Sequence, residues 1–156
     1  MAEIFSIALA GLVAFLFNWL HWRLVRRRNA LNSIGRHLDI LAKELETNAI
    51  TYWLSDFKSI PNGQVKQTSL EISIKGSFIR LPKLVTEFTS RASYLKDKQI
   101  EISKVSRKSW ILFDLITGHD FESENKGTNI ALSSTISKNC NYLRASIAII
   151  IDGHGE

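Results

Sequence analysis

An uninterrupted apolar run near the N-terminus restricts the folds open to this chain more than any other feature. The run extends from Ile4 to Leu20 and contains no charged residue. A helix that continues to Trp22, at about 1.5 Å per residue, nearly matches the hydrocarbon core of a bilayer, which is ~30 Å thick. A buried core helix is the alternative interpretation. We expect a single transmembrane helix over residues 1–28.

The residues that flank the run predict its orientation. Glu3 precedes it, and four arginines follow it: Arg23, Arg26, Arg27 and Arg28. A secretory signal peptide has its positive charge before the apolar segment, which is the opposite order. Trp19 and Trp22 occupy positions typical of an interfacial aromatic belt. Because positively charged flanks stay in the cytoplasm, the sequence predicts a single-pass protein of a bacterial inner membrane with a periplasmic N-terminus and a cytoplasmic C-terminal domain.

Small and polar residues form one stripe along this predicted helix. They recur at every fourth position: Ser6, Ala10, Ala14 and Asn18. Such stripes let neighbouring transmembrane helices approach closely, and an amide side chain can hydrogen-bond across the interface. The stripe therefore predicts an oligomer in the membrane or the lining of a transient pore. The alternative is that alanine and serine are simply common in membrane spans.

A second oligomerisation signal lies in residues 29–58. Five apolar residues at steps of three and four form a seam: Leu31, Ile34, Leu38, Leu41 and Leu45. This spacing is typical of the core positions of a coiled coil, and leucine at position a with isoleucine or leucine at position d favours three or four strands. We expect a helical stalk that holds a homo-oligomer, with a tetramer favoured. In the alternative, the seam packs on the chain's own globular domain.

The remaining residues, 59–156, are expected to form a small cytosolic domain that is mainly helical with a small β-hairpin. Residues 65–74 alternate toward their end and predict a strand, which Gly76 turns back. Pro82 suits the first turn of a following helix, and a last helix is expected from Ser134 to Ile151. Two segments fit either a helix or a strand: 100–105 and 147–151.

Motifs of enzyme chemistry are absent from the sequence. It has no phosphate-binding glycine loop, no nucleophile elbow, no paired-histidine metal motif and no Cys-x-x-Cys. The single cysteine, Cys140, excludes a disulfide framework and is expected to be a free, buried and reduced thiol. We expect no catalysis, no metal and no other cofactor.

Cations close to aromatic residues are the binding chemistry that residues 59–156 offer. Arginine and lysine bind phosphates, while tryptophan and tyrosine present a ring on which a base can stack. The candidate nucleotide-binding residues are Arg80, Lys104, Arg107, Lys108, Trp110, Asn141, Tyr142 and Arg144. Positions on a solvated surface are the alternative for each cluster. The formal net charge of +5 is too small and too dispersed for a general DNA binder.

The order of these parts resembles the membrane effectors of bacterial antiphage immunity: a span at 1–28, an arginine cuff, an oligomerising stalk at 29–58 and a sensing domain at 59–156. It is most similar to the small effector of type III CRISPR systems that is gated by cyclic tetra-adenylate. The similarity is one of layout and carries over no binding residue. It implies a tetramer whose cytosolic domains bind the cyclic messenger and whose spans then perturb the membrane or open a pore.

Two other classes of protein fit the same residues. One is a membrane anchor or holin-like interaction protein that binds no ligand. The other is a membrane-attached protein that binds nucleic acid. Binding of a small cyclic oligonucleotide by residues 59–156 separates the first class from the ligand-gated effector.

Overall fold

Four α-helices build the protein, as the computed structural model shows for the residues it describes. Those residues are 2–152 except 119, 124 and 125, and side chains are described from Leu9 onward. The helices are α1 (Ala2–Leu54), α2 (Gly63–Ala92), α3 (Gln99–Thr117) and α4 (Ile130–Asp152), with a 3-10 turn at Lys96–Lys98. Of the described residues, 86% are helical and none lies in a strand. The predicted fold class, which joined a β-hairpin to a transmembrane helix, is therefore wrong.

The segment predicted as a hairpin belongs to α2. The alternation covers only Leu70, Ile72 and Ile74, which is too short to outweigh the helical period of the residues that follow. Steps of three and four continue from Ile74 into one buried face: Ile74, Phe78, Leu81, Val85, Phe88 and Ala92. Gly76 does not turn the chain, because it lies within α2 with open space where a Cβ would be. Pro82 also lies inside α2 rather than at the start of a new helix.

Both segments that fitted either a helix or a strand are helical. Residues 100–105 belong to α3, in which Ile102 and Val105 are buried. Residues 147–151 belong to α4, in which Ile147 and Ile150 are buried. The two buried residues in each segment are three positions apart, which places them on one face of a helix. In a strand, residues on one face are two positions apart.

The four helices pack as a closed ring in which consecutive helices are neighbours. Helix α1 contacts α2 and α4, and α3 contacts the same two helices from the other side. Side-chain hydrogen bonds fix the directions: Asn48 to Ser73 and Tyr52 to Glu71 join α1 to α2, and Ser137 to Glu46 and Arg144 to Asp39 join α4 to α1. Both pairs of helices run antiparallel. The result is an up-down-up-down bundle, the topology that short connections favour.

The seam predicted for a coiled coil lies in the core of this bundle. Leu31, Leu38 and Leu45 are fully buried, and the other two members, Ile34 and Leu41, are at most 8% exposed. Their cluster includes apolar residues of all four helices. These side chains are therefore occupied within one chain, as in the alternative interpretation. Formation of a homo-oligomer stays a prediction, and it requires another surface.

Residues 9–29 of α1, here called the projecting segment, continue beyond the bundle and are exposed at every position. In the part of the chain that the structure describes, no helix is apolar over a length sufficient to cross a membrane. The prediction of a transmembrane helix at 1–28 and of a single-pass inner-membrane location is therefore wrong, and the predicted periplasmic N-terminus loses its basis.

The small-residue stripe lies on the projecting segment as far as it is described. Ala10, Ala14 and Asn18 are exposed. The side chain of Ser6 lies outside the described residues. Contact of this stripe with another helix stays a prediction.

Replacing Leu38 by alanine tests the burial of the seam within one chain. We expect Leu38→Ala to lower the free energy of unfolding by about 2–5 kcal/mol, because it leaves a cavity in the core. The matched control is Ile40→Ala on the same helix, where the side chain is 62% exposed and the expected loss is below about 0.5 kcal/mol. Denaturant titration at several protein concentrations measures both variants. A loss for Leu38→Ala that disappears at high concentration would instead place the seam between chains.

Candidate functional site: a groove between α3 and α4

Three of the predicted binding residues meet in a groove between α3 and α4. Lys104 and Lys108 contribute from α3, and Tyr142 contributes from α4. The groove has a volume of about 320 Å³, and its other lining residues are Glu101, Ala145, Ser146 and Ile149. Lys104 and Lys108 share one face because they are four residues apart on a helix. We call this feature the α3–α4 groove.

Tyr142 is the aromatic centre of the α3–α4 groove. Its side chain is 50% exposed. The Nζ atom of Lys108 lies 5.0 Å from the ring centroid, and the Nζ atom of Lys138 lies 5.9 Å from it. Lys108 also donates a hydrogen bond of 3.1 Å to Oδ1 of Asn139 on α4. Two cations from different helices are therefore held beside one partly open ring.

One carboxylate limits the positive charge of the groove. Lys104 Nζ lies 2.6 Å from Oε1 of Glu101, one turn earlier on α3. The hydrogen bond from Lys104 is the main reason that the pKa of Glu101 is lowered. Lys104 is thus largely neutralised in the ligand-free protein, and Lys108 is the better placed cation for an incoming anion.

The structure separates Lys108 from Trp110, which the sequence analysis paired as a phosphate partner and a stacking face. Two helical steps rotate a side chain by about 200°, so the two residues point to nearly opposite sides of α3. Trp110 is 66% exposed and packs edge-on against Phe113, with a centroid distance of 6.4 Å. Arg107 is also exposed, and its three-residue step to Trp110 places both on the outer side of the helix.

The other predicted binding residues lie away from the α3–α4 groove. Arg80 is exposed on α2, and Asn141 is exposed on α4. Arg144 turns toward α1, where its Nε atom donates a hydrogen bond of 2.7 Å to Oδ1 of Asp39. That bond is the first cause of the raised pKa of Arg144. Arg144 therefore joins α4 to α1, and its charge is engaged within the bundle.

A buried lysine at the far end of the bundle was missed by sequence reasoning. Lys126 is only 7% exposed, and its Nζ atom donates a 3.1 Å hydrogen bond to the carbonyl oxygen of Ser55. Three rings surround this ammonium, with centroids 4.9 to 5.6 Å away: Tyr52, Trp53 and Phe57. Burial is the largest cause of the lowered pKa of Lys126. The signal available in the sequence was the aromatic cluster at 52–57, which the seam did not explain.

The neighbouring hydroxyl of Tyr52 connects this end of the bundle to the loop before α4. Tyr52 donates a hydrogen bond of 3.0 Å to Oε1 of Glu71 and accepts one of 2.9 Å from the backbone N–H of Glu122. Burial is the main cause that raises the pKa of Tyr52 to about 12. Cys140 is free and buried, as predicted, and burial raises the pKa of its thiol to about 12. Both groups stay protonated at neutral pH, so neither is an activated nucleophile.

Among the residues that the structure describes, no three histidine, cysteine or acidic side chains come together as a metal site. The α3–α4 groove offers two lysines, one aromatic ring and one carboxylate, that of Glu101. This combination suits an anionic ligand with a planar group.

Comparison with known proteins returns no matching family model, no matching curated protein and no matching solved structure.

The lowered pKa of Lys126 predicts how stability depends on pH. Since the folded state binds this proton less tightly than the unfolded state, the contribution of Lys126 to the free energy of unfolding rises as pH rises toward 10.5, the ordinary value for lysine. We expect the stability difference between the parent and Lys126→Met to increase in favour of the parent from neutral pH to about pH 10. Methionine keeps the length of the buried chain. Denaturant titration across this range measures the difference, and a constant or falling difference would contradict the prediction.

Proposed function

We propose that the protein is a non-enzymatic sensor that binds a cyclic oligoadenylate in the α3–α4 groove. The observation that carries the proposal is the meeting of Lys108 and Tyr142, from two helices, at 5.0 Å. The ammonium group supplies a phosphate contact, and the open part of the ring supplies a stacking face.

The ligand class matches the small number of groups that the groove offers. A four-fold cyclic oligoadenylate bound by a symmetric tetramer presents one phosphate and one adenine to each protomer. One free cation and one aromatic ring per subunit are then sufficient. The α3–α4 groove is open rather than closed, which suits a ligand shared between subunits.

The packing of α4 suggests how binding would reach the rest of the chain. Tyr142 and Arg144 lie on the same helix, and Arg144 is bonded to Asp39 of α1. Helix α1 continues without interruption into the projecting segment. A ligand that prefers one position of α4 relative to α1 would therefore bias the projecting segment, which is the output of the sensor in this proposal.

A second candidate function is an interaction protein that binds no small ligand. The projecting segment favours it, because its large apolar side chains are exposed around the whole helix: Leu9, Leu12, Val13, Phe15, Leu16, Phe17, Trp19, Leu20, Trp22, Leu24 and Val25. Contiguous exposed apolar surface usually marks a site of association. The two candidates differ in whether the bundle binds a nucleotide.

Calorimetric titration of the full-length protein with cyclic tetra-adenylate tests the proposal. We expect Lys108→Ala to weaken binding by roughly 10- to 100-fold, the effect of losing a charge-assisted hydrogen bond of about 1.5–3 kcal/mol. Tyr142→Ala should cost ~1–3 kcal/mol of binding free energy through lost stacking. Arg107→Ala is the matched control, because it removes one charge from the adjacent position of α3 on another side of the helix.

Affinities are compared only for variants whose melting temperature equals that of the parent. Unchanged affinity for Lys108→Ala together with weakened affinity for Arg107→Ala and Trp110→Ala would move the site to the outer side of α3. Failure of the parent to bind any cyclic oligoadenylate would overturn the sensor proposal and favour the interaction protein.

A further inference from the structure

A small cleft lies where the projecting segment leaves the bundle, beside the end of α2. It is lined by Arg27 of α1 and by Ser90, Arg91, Ser93 and Tyr94, and it has a volume of about 270 Å³. Two arginines from different helices therefore line one cleft. We call it the junction cleft, and it is formed by helices other than the pair that forms the α3–α4 groove.

The structure distinguishes Arg27 from the other arginines of its cluster. The guanidinium of Arg23 lies 5.3 Å from the ring centroid of Trp19, and that of Arg26 lies 3.5 Å from the ring of Trp22. Each of these rings lies four residues nearer the N-terminus, so both guanidinium groups run back along the projecting segment. Arg27 instead lines the junction cleft with α2.

Arg91 is held in place from outside the junction cleft. Its Nη2 atom donates a 2.9 Å hydrogen bond to Oε1 of Glu87, one turn earlier on α2. A guanidinium carries five N–H donors, and this bond engages one side of the group. Glu87 lines the adjacent depression, which Ser90 and Arg91 line as well, and it does not line the junction cleft. The carboxylate therefore orients Arg91 without occupying the cleft.

The charge balance of the junction cleft favours an anion. The carbonyl end of α2 contributes a partial charge of about −0.5, and the hydroxyl of Ser93 donates to the carbonyl oxygen of Ser90 at 2.7 Å. Glu87 pairs with Arg91 at 2.9 Å and offsets its charge, so the positive charge of Arg27 is what remains to outweigh this partial charge. The adjacent Arg23, Arg26 and Arg28 raise the local positive potential further, which favours a doubly charged anion over a singly charged one.

We propose that the junction cleft binds a phosphate group, preferentially a phosphomonoester. The guanidinium group of arginine matches the oxygen geometry of phosphate, and two guanidinium groups from different helices can bind separate oxygens of one phosphate. The cleft has room for the phosphate and a small part of its substituent. A soluble phosphate compound and the headgroup of a phosphomonoester lipid share this chemistry, and experiment distinguishes them.

Nuclear magnetic resonance of the full-length protein tests the soluble source. Titration with inorganic phosphate at constant ionic strength is followed through the backbone amides of Ser93 and Tyr94, which line this cleft. We expect Arg27→Gln and Arg91→Gln each to weaken binding by about tenfold or more, as the loss of a charge-assisted contact does. Arg28→Gln is the matched control, since it removes the same charge from the next residue; its expected effect is below about threefold, that of a screened surface charge.

Vesicle co-sedimentation tests the lipid source with the same variants. Phosphatidylcholine vesicles that contain phosphatidic acid are compared with vesicles that contain an equal negative charge as phosphatidylserine. A preference for phosphatidic acid that depends on Arg27 and Arg91 would assign the cleft to a lipid headgroup, and saturable binding of inorganic phosphate with the same dependence would assign it to a soluble compound. The proposal would be overturned if Arg28→Gln weakened binding as much as Arg27→Gln in both experiments. It would also be overturned if the parent protein bound neither inorganic phosphate nor the phosphatidic acid vesicles.

Discussion

Burial of one face of α1 is the interaction on which the rest of the structure depends. The face extends from Leu31 to Trp53, and helices α2 and α4 pack against it from two sides. Gly35 marks a close approach of the helices, because a Cβ there would collide with Cδ1 of Ile151 and lie 3.0 Å from Cε2 of Phe88. Helix α3 closes the ring by packing on α2 and α4. Both candidate binding features depend on this arrangement, since α4 of the α3–α4 groove packs on α1 and the junction cleft lies between α1 and the end of α2.

The sequence predicted the core positions of α1 but not what covers them. Apolar residues at steps of three and four indicate that one side of a helix is buried. The same spacing arises whether a partner chain or the chain's own helices cover that side. The hairpin failed because three alternating residues, Leu70 to Ile74, are also compatible with the start of a helical face. The transmembrane prediction relied on the uncharged run after Ile4, and among the described residues no helix is long and apolar enough to cross a membrane.

The candidate site was predictable in its chemistry and not in its geometry. Lys108 and Tyr142 were both expected to bind a ligand, but they are far apart in the sequence, and only the packing of α3 on α4 brings them together. Trp110 and Lys108 are two residues apart and face nearly opposite sides of α3. Lys126 shows the limit most clearly. It lies in a polar loop, and the rings that surround it belong to α1 and the turn that follows α1. No pattern in the neighbouring sequence therefore predicts that it is buried.

Because α1 is continuous, a small tilt of its packed part would displace the far end of the projecting segment by a larger distance. Residues 9–29 extend about 30 Å at the helical rise, so a tilt of about 5° at the bundle displaces Leu9 by about 3 Å. The α3–α4 groove is connected to α1 through α4 and the hydrogen bond between Arg144 and Asp39. The junction cleft contacts α1 directly at Arg27, where the packed part of α1 ends. A phosphate bound by both Arg27 and Arg91 would link the projecting segment to α2. It would therefore oppose a tilt of α1 that a ligand bound to α4 would favour. Two ligands bound at these features would therefore be coupled through one rigid helix, with each altering the affinity for the other by the same factor.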